Sequence, residues 1–196
     1  MEQEGQRGNN APPLKNINKA RAIKRRGQEP KRQALYRMSG VDATQIDAIG
    51  VETVEVIISE YGPDLSRFPT EEQFVSHATL APRVQKSGGK PLKKKKRNSA
   101  STRVASALRM AAQSLRQSDT ALGAYYRNTA RRKGPGVATF AAARKIATLI
   151  YRLLRWGQPY IDEGAEAYEK RYHLQRVKGL HSRAQQLGYQ LTPLKP

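Results

Sequence analysis

Ser87 is the residue whose type and setting first suggest chemistry. It stands in Lys86-Ser87-Gly88-Gly89-Lys90, with Pro91 next and Lys93, Lys94, Lys95, Lys96 and Arg97 close behind. A short hydroxyl on a glycine-rich loop, surrounded by cations, is placed to meet a phosphodiester. A serine hydroxyl is a weak nucleophile and needs activation by a base or a metal. Phosphoryl displacement also needs cations on the equatorial and leaving oxygens. Lys86 and Lys90 can act electrostatically, but no neighbour is an evident base. The residues alone fit an ordinary loop serine better than a nucleophile. No His, Asp or Glu cluster with metal-ligand spacing accompanies it, and His77 stands alone.

The charge distribution supplies the setting. The chain has 36 Lys and Arg against 16 Asp and Glu, a net charge of +20 and an isoelectric point near 10.5. Such a balance selects a polyanionic partner, nucleic acid first, with an anionic membrane surface as the weaker alternative. Residues 42–72 are net −7 and residues 73–118 net +11 without a single acid. The candidate nucleic-acid contacts are therefore Arg83, Lys86, Lys90, Lys93, Lys94, Lys95, Lys96, Arg97, Arg103, Arg109 and Arg116. The lysine run has a plainer reading as a solvated loop. There is no cysteine, no apolar run of membrane-span length and no signal-type N-terminus, and a cytoplasmic location fits.

The elements that must position these residues read as all-α. Residues 1–34 are polar and basic without sustained apolar periodicity, and are expected to be a disordered arm or linker. The ordered part is expected over residues 35–193. Within it, residues 42–62 resemble a helix-hairpin-helix: two short helices joined at Ile49-Gly50, where Gly50 takes the positive φ of the turn. Such a turn can offer N–H groups to a DNA phosphate, but the acidic neighbours here oppose DNA and leave a packing role open. Thr70 and Gln73 form a capping-box signature for a helix to about His77, with Phe68 and Phe74 as a hydrophobic staple. A basic serine/lysine loop over 83–99 follows. Helices are expected at about 102–117, 119–133, 137–156 and 161–188, with Phe140, Ala143, Ala147, Ile150 and Leu154 inward in the third. The tyrosines sit at core spacing and read as packing residues.

Several blocks then carry a resemblance, in order and spacing: Leu35-Tyr-Arg-Met-Ser-Gly-Val-Asp, Ile46-Asp-Ala-Ile-Gly-Val-Glu-Thr, Asp64-Leu-Ser-Arg-Phe-Pro-Thr, Leu80-Ala-Pro and Ser87-Gly-Gly-Lys. Ala107-Leu-Arg-Met-Ala-Ala-Gln-Ser-Leu, Leu122-Gly-Ala-Tyr-Tyr-Arg, Ala143-Arg-Lys-Ile-Ala and Leu187-Gly-Tyr-Gln-Leu continue it. Residues 31–193 resemble the C-terminal domain of insertion-sequence transposases of the IS-one-ten family, IS-eleven-eleven branch, related to Piv-type invertases. The family usually has glycine where this chain has Ala48.

The resemblance implies DNA transposition by a two-part enzyme. An RNase-H-like half carries four acids, DEDD, that bind magnesium; a C-terminal half supplies a serine nucleophile, here Ser87; and a structured bridge RNA selects donor and target DNA. The expectation for this chain is a C-terminal half without the DEDD part, holding no cofactor of its own and inactive alone. Magnesium would enter only with a DEDD partner chain. DNA is the expected partner, with bridge RNA and homo-oligomerisation as further implications. The competing readings are a non-catalytic nucleic-acid-binding module and an inactive remnant.

Overall fold

A computed structural model of the chain describes residues 10–81, the backbone of 86–87 and 90–91, and residues 103–193. Eight α-helices carry it: α1 (Ile17–Arg25), α2 (Glu29–Ser39), α3 (Val51–Tyr61), α4 (Glu71–His77), α5 (Arg103–Ser114), α6 (Ala121–Lys133), α7 (Pro135–Trp156) and α8 (Gly164–Gln186). Between α4 and α5 a two-residue antiparallel ladder pairs β1 (Lys86–Ser87) with β2 (Lys90–Pro91). The fold class is all-α.

Helix α7 is the axis. Its sequence is apolar on most of its circumference, and ten of its 22 residues are buried, among them Ile146, Ala147, Ile150, Tyr151 and Leu154. Helices that are apolar nearly all round must be covered on several sides. Accordingly α4, α5 and α6 all pack on α7. Small residues Ala138, Ala142, Ala143 and Ala147 let these neighbours approach. Val104, Leu108, Ala111, Ala112 and Leu115 turn the face of α5 and its following 3-10 turn inward, at the helical spacing read from the sequence. The helix begins at Pro135, two residues before the expected start, because proline at the first turn needs no N–H partner. Phe140 departs from its expected inward place: it is 41% exposed.

A wedge of aromatic rings joins α3, α4 and α7. Tyr61, Phe68 and Phe74 meet edge to face at 5.4–5.6 Å, and Tyr151 stacks on Phe74 at 5.8 Å. His77 packs on Tyr61 and Phe68, a structural role for this histidine. The Tyr151 hydroxyl donates to the Phe68 carbonyl over 2.7 Å, so the buried polar atom is satisfied. Thr70 caps α4 by accepting from the Gln73 N–H. The Arg152 guanidinium grips Glu71 bidentately at 2.7 and 2.9 Å, which ties α4 to α7 and holds the Glu71 carboxyl below its usual range.

Part of the expected disordered arm is folded. Residues 1–9 lie outside the described residues, but 10–34 contain α1 and the first half of α2. Apolar periodicity is weak there because the anchor is polar. Arg32 is 4% exposed and donates to Asp42 at 2.5 Å, to Thr44 Oγ1 at 3.1 Å, to Glu29 at 2.8 Å and to the Pro12 carbonyl. One buried guanidinium thus staples α2, the segment before α1 and the turn after α2. A buried charge is tolerated only when paired and hydrogen-bonded in this way.

Candidate nucleic-acid interface

The turn over residues 42–50 is built from the inside. Asp42 caps a 3-10 turn at Ala43–Gln45 by accepting from the Thr44 N–H. Ile46 and Ile49 are fully buried. The expected positive φ lies elsewhere than predicted. Gly50 has φ −90° and ψ 169°, ordinary extended backbone, and caps α3 without a side chain. The left-handed residue is Ala48, at φ 67°. The left-handed region disfavours a Cβ, so alanine carries strain at this position.

The surroundings of the turn fix it in place. The Lys19 ammonium of α1 donates to the carbonyls of Thr44 (2.5 Å) and Ile46 (2.8 Å). Burial pushes this lysine down to about 8, against the pull of Asp47 and Asp42. Asp47 accepts from the Tyr160 hydroxyl at 3.0 Å; burial raises its carboxyl above the usual range despite that bond. The acids of α3 are engaged as well: Glu52 accepts from Gln28 at 3.0 Å, and Glu55 pairs with Lys31 at 2.9 Å. The predicted turn residue Ile49 is inside the protein, and the acidic surface is used to dock α2.

The nucleophile candidate sits on the ladder. Ser87 is the register partner of Lys90, and Lys86 of Pro91. The intervening Gly88-Gly89 is a residue pair that favours tight hairpin turns. These two residues, together with Arg83, Lys93, Lys94, Lys95, Lys96 and Arg97, lie outside the described residues, and only the backbone of Lys86, Ser87 and Lys90 is described.

The three arginines beyond the loop face different surroundings. Arg103 opens α5, is 77% exposed at its side chain and reaches Glu60 of α3 at 3.8 Å. Arg109 lies over the Phe140 ring at 5.3 Å and donates to Ser106 at 3.1 Å. That contact accounts for the outward Phe140, which covers α5 rather than filling the core. Arg116 is exposed on the 3-10 turn Leu115–Gln117. All three flank α5, the first helix after the lysine run.

A second cationic region lies beyond residues 73–118. Residues 120–161 are also free of Asp and Glu and carry eight Lys and Arg. Helix α6 ends in Arg131, Arg132 and Lys133, where cations suit the helix C-terminus. Lys145 of α7 lies 4.6 Å over the Tyr125 ring and 5.8 Å over Tyr168. Burial holds its ammonium below the ordinary lysine range, and Arg171 adds to that. Beside it an open cleft of about 330 Å³ is lined by Lys145, Arg152, Tyr160 and Glu163 among others. The signal available in the sequence was the length of the acid-free run, not any motif.

Among the described residues no group of three or more His, Asp or Glu side chains could hold a metal ion, so the magnesium implied by the resemblance finds no matching set there. No helix of the described residues is long and apolar enough to cross a membrane.

Residues 43–127 match the model of the Transposase IS116/IS110/IS902 family. The matched span runs from the 3-10 turn through α3, α4, the ladder and α5 into α6, and it contains Ser87. No curated protein and no solved structure matches the chain.

Proposed function

Starting from a chain that carries a transposase domain of the IS116/IS110/IS902 family at residues 43–127, we propose that it binds DNA through its basic half and contributes Ser87 as the nucleophile of transposition. The observation that carries this reading is the family match itself, which spans Ser87 and the acid-free stretch behind it. The Ser87–Lys90 register supports it by putting a cationic residue opposite the serine. The buried turn at 42–50 is then a packing unit, and the DNA-facing charge belongs to the loop at 83–99 and to α5.

In the proposed reaction the Ser87 hydroxyl attacks a phosphodiester phosphorus. A phosphoserine ester forms, the scissile P–O bond breaks and the released strand end keeps a hydroxyl. The serine proton leaves to a base supplied by the metal-bearing DEDD domain, and a bridge RNA sets the DNA site. Lys86 and Lys90 offset the phosphate charge. A DEDD domain would hold the magnesium in this reading, and the metal would stabilise charge on the leaving oxygen.

The test is a denaturing gel that retains protein-linked DNA. The chain with DNA and magnesium alone is expected to give no adduct. Adding a DEDD domain of the family with its RNA is expected to give one, abolished by Ser87→Ala while DNA binding stays within a few-fold. An adduct that survives Ser87→Ala overturns the assignment. Binding with no adduct under any condition leaves a non-catalytic nucleic-acid module.

A further inference from the structure

Helices α6, α7 and α8 meet at a surface where tyrosines and cations alternate. Tyr168 and Tyr172 of α8, one turn apart, are stacked with rings 6.2 Å apart and 8° from parallel. Tyr125 of α6 meets Tyr168 edge-on at 6.4 Å. Four cations lie on these rings. Arg132 and Arg176 are 5.6 and 5.9 Å from the Tyr172 centroid, Arg171 is 5.6 Å from Tyr168, and Lys145 reaches Tyr125 and Tyr168. All three tyrosines are half-buried; Tyr125 packs against the core as its spacing predicts, whereas Tyr168 and Tyr172 are not part of it.

The charge count distinguishes this surface from a packing seam. Arg171 is committed to Glu163 by a bidentate pair. Among the described residues, Arg132, Arg176 and Lys145 have no carboxylate partner. Two guanidinium groups lie on one tyrosine and an ammonium reaches two others, so cationic groups are concentrated here. A polyanion would be attracted to that concentration of charge. Guanidinium planes resting on tyrosines also leave an outer face free to stack, and bases stack on aromatic and arginine planes alike. A duplex has its base faces already stacked and could use only the charges.

We propose that the α6–α8 surface, through Arg132, Lys145, Arg176 and the tyrosines 168 and 172, is a second nucleic-acid site that takes an unpaired DNA strand. The site is separate from the serine/lysine loop: it lies on helices after α5, largely outside residues 43–127. DNA is preferred over RNA because the chain carries a domain of a transposase family at residues 43–127.

The test uses the full chain carrying serine at positions 93–96, so that the loop's own contribution is removed. Binding of an unstructured oligothymidylate, its RNA counterpart and a duplex is followed by fluorescence anisotropy across salt concentrations. Tyr172→Leu keeps every charge, and should weaken oligothymidylate binding about fivefold or more with duplex binding unchanged within twofold. Tyr172→Phe should restore it. Arg132→Gln with Arg176→Gln, both at exposed positions, should make the oligothymidylate log–log salt slope shallower by about 1.4. This pair decides the matter if Tyr172→Leu melts early. Unchanged oligothymidylate binding in the arginine pair overturns the proposal, as does equal loss for duplex in Tyr172→Leu. Binding of the RNA oligomer alone overturns the choice of DNA. The loop reading fails separately, if restoring Lys93–Lys96 adds nothing to duplex affinity.

Discussion

Valine at position 48 should destabilise the fold and valine at position 50 should not, although only the second replaces a glycine. Ala48 occupies the left-handed region at φ 67°. An L-residue there costs about 1–2 kcal/mol, and a β-branched side chain raises the strain towards about 3 kcal/mol. Gly50 is extended at φ −90° and ψ 169°, and a Cβ built on it meets nothing within 4 Å. Valine adopts that backbone readily. Its smaller unfolded-state entropy offsets the modest loss of an N-cap glycine, leaving a net effect of about zero. In a chain of this size each kcal/mol moves the melting temperature by about 2–4 °C. Ala48→Val should therefore melt about 2–8 °C lower, and Gly50→Val within about 2 °C of the parent. Ala48→Gly should melt at or slightly above the parent, strain relief being partly offset by glycine's entropy. Thermal unfolding followed by far-ultraviolet circular dichroism reads all three. A larger loss for Gly50→Val than for Ala48→Val would put the strained residue back at position 50 and refute the account of the turn.

Three further outcomes follow from the packing. Arg32→Met should cost about 3–5 kcal/mol, because it strands the buried Asp42 carboxylate, and Asp42→Asn in the same chain should recover part of that loss in a denaturant titration. Gly123→Ala should destabilise by more than about 2 kcal/mol, since its Cβ would meet the Ser118 carbonyl oxygen at 2.0 Å; a melt unchanged from the parent would exclude that close approach. Lys19 has a folded pKa of about 8, below its unfolded value of 10.5, so the unfolded chain binds more protons between these values. Its contribution to stability is thus least below pH 8 and rises from there to about pH 10.5. Lys19→Met should remove that rise, leaving a steeper alkaline decline than in the parent.

What the sequence reveals and what it hides divide along physical lines. Helices α5, α6 and α7 carry apolar residues at 3.6-residue spacing, so Leu108, Leu122 and Ile150 announce their buried faces. The capped start of α4 is equally plain in Thr70 and Gln73. Helix α2 hides because, beside Leu35, its buried contact is Arg32, a residue type that periodicity counts as surface. Helix α8 shows the reverse: Leu174, Val177 and Leu180 suggest a buried face, yet no residue of α8 is buried, and Leu174 is 68% exposed. Residue type assigns the positive φ of the Ile49-Gly50 turn to the glycine, whereas the backbone gives it to Ala48. At the candidate site, Ser87 and the lysines are legible as types and as a family pattern. The tyrosine–cation surface was not, because Arg132, Lys145 and Tyr172 come from three helices that only the fold brings together.

The claim that matters most is that the basic half of this chain exists to bind DNA. Duplex affinity measured against salt concentration tests it directly, for the parent and for a chain with Lys93–Lys96 replaced by serine. About six phosphate contacts would give the parent a log–log slope of about −5, and removing four of the lysines should make it shallower by about three to four. A flat titration for the parent, or a slope that the four serines leave untouched, would contradict the account.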